Sequence, residues 1–235
     1  YRNRGGGKFM THLMRLELKK VGLKKYVIFS MIGIFISMYF LFVGLNDSST
    51  IKSNYETAFS TVGMIFCVYY ITLFSVLVAT YIINEYNHKT ILVMFSYPID
   101  RRKLMIAKLL LITLLVMFSM IVGYICCGIF IVIADKCWEL IEGEFRISVL
   151  SYWIPTALKA IITFCTLGIG TFVIGMIKKS VPMTIISAIV FFYIRQFYIA
   201  GMDLYEENWL FVIGVVIITI IWVCYVLTHK INPTD

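Results

Sequence analysis

The chain has 235 residues, of which 60% are apolar or aromatic and 14% are charged, with a net charge of +8. Soluble domains run at about 45–50% apolar and about 25% charged, so this chain carries more apolar surface than one water-facing core can cover. That excludes a soluble enzyme, a nucleic-acid-binding domain and a disordered tail as its main identity, because six membrane spans of roughly 20 residues each would leave only short loops.

The chain opens with Arg4-Gly5-Gly6-Gly7-Lys8-Phe9-Met10, the peptide that a purine-rich ribosome-binding site encodes when translated through to its start codon. The natural start is therefore expected at Met10, with residues 1–9 outside the native chain. Eight basic residues (Arg2, Arg4, Lys8, Arg15, Lys19, Lys20, Lys24 and Lys25) precede the first apolar run. Such a cluster orients a membrane protein and is drawn to anionic headgroups, which explains the positive charge without nucleic acid. Residues 10–25 have Met10, Leu13, Met14, Leu18 and Val21 on one side at helical spacing, the pattern of a helix lying in the interface. Spans one and two follow at 26–45 and 59–83. The first is too long, and lacks the small-residue cleavage site, for a signal peptide.

Residues 84–103 read Asn-Glu-Tyr-Asn-His-Lys-Thr-Ile-Leu-Val-Met-Phe-Ser-Tyr-Pro-Ile-Asp-Arg-Arg-Lys and form the one sizeable loop on the basic side. The apolar stretch 91–95 is far too short to span. Pro98 cannot continue a helix and pushes Tyr97 towards an extended backbone. Asp100 is a good N-cap for a helix running through Arg101 and Arg102 into span three. A short apolar helix, a break and a capped re-entry expose an apolar face beside the membrane, and that face needs a cover of lipid or protein.

Spans three to six are expected at 104–134, 152–177, 181–199 and 209–227. Gly168, Gly170 and Gly175 give span four a small-residue face suited to close helix contact, either in a dimer or within the bundle. Lys108, Lys159 and Arg195 are the basic residues inside spans. The first two are expected to snorkel to the interfaces, and Arg195 to reach Asp203 or Glu206. With the N-terminus inside, fifteen basic residues lie in inner segments and three in outer loops, so both termini are expected in the cytoplasm. Five of the six cysteines lie in apolar runs, without metal spacing, and read as packing residues. The sequence has no HExxH and no P-loop. The arginine that intramembrane proteases need soon after paired glutamates is missing after Glu206 and Glu207.

The fold class is therefore all-α, a polytopic protein with a basic segment at 1–25 and a six-helix domain at 26–235. A glutamate at the cytoplasmic end of a span, a threonine five residues on, a short apolar run, Ser-x-Pro-Ile and a basic cluster opening the next span resemble the permease subunits of type-2 ATP-binding-cassette (ABC-2) exporters. The matching residues are Glu85, Thr90, Ser96, Pro98, Ile99, Arg101 and Arg102, with Lys89 where that family often has glycine. The resemblance implies that the loop is a coupling helix seated in a separate ATPase, with Ile91, Leu92 and Phe95 on its apolar stretch. It further implies a second permease copy, identical or paralogous, and ATP with magnesium bound by the ATPase, no cofactor being held by this chain itself. It also implies residence in a bacterial cytoplasmic membrane and export of a hydrophobic or amphipathic substrate, with peptide antibiotics or drugs as the cargo class of similar small exporters. The competing reading is a stand-alone membrane scaffold or an intramembrane enzyme acting on lipid.

Overall fold

A computed structural model describes residues 23–46, 55–87, 101–138, 141, 147–201 and 208–229. Six helices are long and apolar enough to cross a membrane, and the described residues contain no strand. Helix α1 (Leu23–Asn46) is followed by α2 (Tyr55–Val78), which runs through a π-helical turn (Ala79–Ile83) into a last α-turn (Asn84–Asn87). Then come α3 (Arg101–Trp138), α4 (Ile147–Lys178), α5 (Val181–Gly201) and α6 (Trp209–His229). At about 1.5 Å per residue each exceeds or matches a hydrocarbon core of roughly 30 Å. Helices and closed barrels are the structures that satisfy every backbone polar group in lipid, so runs this apolar and uninterrupted have one local solution. The expected interfacial helix at 10–25 and the coupling helix fall mostly or wholly outside the described residues.

Helix α4 is the axis of the bundle. It packs against α2, α3, α5 and α6, while α1 lies against α2 and α3. Of its membrane-crossing stretch 78% is buried, against 17% for α6 and 28% for α1, so the outer helices give most of their surface to lipid or to a partner. Apolar side chains gain little from leaving lipid for a helix interface, and close packing with interhelical hydrogen bonds holds such helices together. Both occur here. Phe59 of α2 stacks on Trp153 of α4 with ring centroids 4.7 Å apart. Phe66 meets Tyr124 of α3 edge-on at 4.8 Å. Pro155 sits within α4, where its missing N–H and its ring break one helical bond.

Hydroxyl groups tie α1 to its neighbours. The Tyr26 hydroxyl donates to the Leu115 carbonyl at 2.5 Å, Tyr69 donates to the Phe29 carbonyl, and the Ser30 and Ser119 hydroxyls bond each other. Tyr70 adds a bond to the Ser119 carbonyl at 3.1 Å. Ser119 therefore joins three helices. Replacing it with alanine is expected to lower the stability of the detergent-solubilised protein by about 1 kcal/mol, read as a fall in Tm relative to Ser60→Ala. Ser60 bonds only within its own helix, to the Thr57 carbonyl.

The opposite end of α2 is pinned through Asp135, whose carboxylate accepts from the Tyr55 hydroxyl and, at 3.0 Å, from the Ile141 backbone N–H. Burial first, then the Asp135 carboxylate, pushes the Tyr55 hydroxyl up to about 12. Tyr55 thus stays protonated, and remains a donor, throughout the physiological range.

Candidate functional site

The site the sequence singles out lies where α2 ends and α3 begins. Thr90, Ile91, Leu92, Phe95, Ser96, Pro98 and Ile99 lie outside the described residues, and of Arg101 and Arg102 only the helical backbone is described. What the structure supplies is the frame around that segment, namely the two helix ends from which residues 88–100 depart and to which they return.

Ahead of the segment, α2 widens. Across the turn Ala79–Ile83 the helix is π, and the Asn84 backbone N–H bonds the Ala79 carbonyl five residues back. Single π turns inside α-helices occur frequently at functional sites. This one is held on several sides, packing against α3, α4 and α5. On the α3 side Lys108 enters it: its ammonium forms an ion pair with the Glu85 carboxylate and donates to the Tyr81 carbonyl at 3.4 Å. Lys108 thus does not snorkel. Its side chain is 8% exposed, and it is turned into the bundle towards a glutamate whose side chain is 29% exposed. Glu85, expected at the ATPase, directs a carboxylate oxygen inward to Lys108.

On the α4 and α5 side the glycines matter. A Cβ on Gly175 would press on the Thr184 hydroxyl of α5 and lie 3.1 Å from Ile83 in the π turn. On Gly168 it would sit 2.5 Å from the Phe74 ring of α2, and on Gly170 3.0 Å from the Phe191 ring of α5. All three therefore meet helices of their own chain. The turn between α4 and α5 is short, with Lys179 in the left-handed region at φ 49°. Thr184 secures it through bonds from its hydroxyl and its N–H to the Ser180 carbonyl. The contact of Gly175 and Thr184 with Ile83 brings Lys178 and Lys179 to the same end of the bundle as Glu85 and Arg101.

Elsewhere, Lys159 and Arg195 are both buried, with 6% of each residue exposed. Arg195 sets its guanidinium over the Phe164 ring, 5.0 Å from the centroid, a favourable cation–π arrangement. Its expected partners Asp203 and Glu206 lie outside the described residues. Lys159 is enclosed within the bundle and does not extend outward. None of the six cysteines forms a disulfide, and the described residues hold no cluster of His, Cys, Asp or Glu suited to a metal.

Residues 13–196 match the family described as "ABC-2 family transporter protein". The chain belongs to the ABC-2 family. A Bacillus subtilis (strain 168) protein named "Uncharacterized protein YcbO" is 31% identical over 191 residues, which cover 76% of this chain and 80% of the relative. No solved structure matches. As an ABC-2 protein with six membrane-crossing helices, the chain is a multi-pass membrane component of an ABC transporter, a transport subunit whose family works with an ATPase partner. The matched region contains the frame described above, from the π turn through α3 and α4 into α5.

Proposed function

We propose that this ABC-2 permease exports a hydrophobic or amphipathic substrate across, or out of, a bacterial cytoplasmic membrane. Peptide antibiotics or drugs, in self-protection or resistance, are the favoured cargo class. The chain pairs with a second permease, identical or paralogous, and ATP with magnesium is bound and hydrolysed on the partner ATPase. Residues 88–100 form the coupling element, with Ile91, Leu92 and Phe95 as its apolar contact with the ATPase and Glu85, Thr90, Ser96, Pro98, Ile99, Arg101 and Arg102 framing it. Both termini are cytoplasmic, which places Glu85, Arg101, Lys178 and Lys179 on the inner side. This agrees with the fifteen-to-three distribution of basic residues.

The observation that carries the reading is the frame of the loop in an ABC-2 chain. Two membrane-crossing helices, braced together by Lys108 and Glu85, flank the segment whose apolar 91–95 stretch, on this reading, takes a protein cover. The buried basic side chains of the bundle add a second, weaker support. Lys108, Lys159 and Arg195 are all enclosed, and basic side chains inside a membrane bundle are candidates for a part in transport.

The test is purification of the tagged chain in mild detergent from its native host. A stoichiometric ATPase is expected with the wild type. It should be lost from a variant carrying Ile91→Asp and Phe95→Asp that still inserts at normal levels. A solitary wild-type protein in several detergents, with ATP present, would instead favour the stand-alone membrane protein. Retention of the ATPase by the variant would sink the coupling assignment.

A further inference from the structure

We propose that Lys108 is a positioning residue of the transport cycle. Its ion pair with Glu85 clamps the last turn of α2 to α3, so that the two helix ends on either side of residues 88–100 are held in one relative geometry. This rests on the permease reading above and assigns a role to a side chain that composition alone places at the interface.

Three observations carry it. The first is place. Glu85 lies two residues before the end of the α2 extension at Asn87, and Lys108 lies seven residues, two helical turns, beyond the start of α3 at Arg101. The pair thus bridges both roots of the segment, about 10 Å along α3 from its re-entry point. Any rotation or sliding of α2 against α3 that redirects the segment must pull the ammonium from the carboxylate.

The second is the π turn. In that turn the N–H groups reach one residue further back, as Asn84 does to Ala79, and the Tyr81 carbonyl accepts from the Lys108 ammonium at 3.4 Å. Lys108 therefore grips backbone as well as side chain, and it holds the local helical form of α2 together with its direction. The same turn packs on α4 and α5, with Ile83 close against Gly175 of α4, which Thr184 of α5 also approaches. Movement at the root of the segment is thereby passed to the rest of the bundle.

The third is energetic. An enclosed ion pair must overcome the desolvation of both charges, and an apolar pair of similar volume commonly holds a fold equally well or better. A pair kept for stability alone is replaceable by leucine and methionine; a pair kept for direction is not.

The experiment uses the complex with its co-purified ATPase in lipid nanodiscs, with Mg-ATP as the probe and turnover expressed per assembled complex. Lys108→Arg keeps a cation beside Glu85 and is expected to keep wild-type turnover. The double variant Lys108→Met with Glu85→Leu removes both charges of the pair, so it is expected to insert and assemble yet to change turnover about five-fold or more, the scale of ordinary site-to-site coupling. Glu85→Gln, which keeps the shape and loses the charge, carries the same comparison if the double variant fails to assemble. Wild-type turnover in the assembled double variant, or in Glu85→Gln, overturns the proposal while leaving the permease reading intact. Absence of any ATPase from the wild-type preparation overturns both, and that control is read before any variant is made.

Discussion

Gly168→Val is expected to be among the most damaging single substitutions in the transmembrane bundle. The first added carbon would lie 2.5–2.8 Å from three atoms of the Phe74 ring, well inside van der Waals contact. Phe74 is itself fully buried, so the ring has nowhere to swing, and α2 and α4 must separate. Overpacking of this kind costs about 3 kcal/mol, a large share of the about 5–15 kcal/mol by which folded proteins are commonly stable. The matched control is Gly214→Val on α6, where nothing lies within 4 Å of the added carbon and the effect should stay within about 0.5 kcal/mol. Fluorescence-detected size exclusion after graded heating reads both. Equal melting of the two variants would mean that α2 and α4 do not close as tightly as described.

Glu85→Leu is expected to cost nearly as much by a different route, because it takes the carboxylate away from the buried Lys108 ammonium. Removing one member of a buried pair typically destabilises by about 3–5 kcal/mol. The lower figure applies, since Glu85 is part-exposed and the Tyr81 carbonyl remains at 3.4 Å. Adding Lys108→Met to that variant should then restore most of the lost Tm, because the ammonium deprived of its carboxylate is removed as well. This reversal separates an ion pair from two independent contacts. If the double variant melts no higher than Glu85→Leu alone, the two side chains do not interact in the folded protein.

These two expectations differ in how far the amino-acid sequence foretells them. The six crossings were legible because a span is a matter of length and continuous apolarity, which needs no knowledge of neighbours. Gly168 was legible as a small residue on a packing face, but whether that face met another chain or the same one depends on which aromatic lies opposite, and Phe74 is 94 residues away in the chain. Lys108 illustrates a sharper limit. By sequence it is a lysine one turn inside an interface, for which snorkelling is the ordinary outcome. Its inward turn depends on Glu85, 23 residues earlier in the chain, and on a π turn at Ala79–Ile83 whose residues, Ala-Thr-Tyr-Ile-Ile, carry no signal that separates them from any α-helical stretch. The expected coupling motif is readable in the sequence because proline, an N-cap residue and a basic cluster are local signals. The brace beneath it is not, because it is made by two helices meeting.

The π turn also sets where α2 can tolerate a change in length. An α-helix turns about 100° per residue, so deleting one residue from the regular part of α2 between Tyr55 and Val78 would swing one flank of the helix round relative to the other by that angle. After a loss between Phe74 and Val78, for example, Glu85 could not face Lys108 while Tyr70 and Phe74 kept their own partners. The stretch Ala79–Ile83 already holds one residue more per turn than its flanks. A deletion there would let the turn tighten to ordinary α geometry with both flanks still facing as they do now. The bond from the Asn84 N–H to the Ala79 carbonyl would give way to ordinary four-back bonding. One codon removed inside this turn should thus be absorbed, whereas the same loss two turns earlier should scramble everything downstream of it.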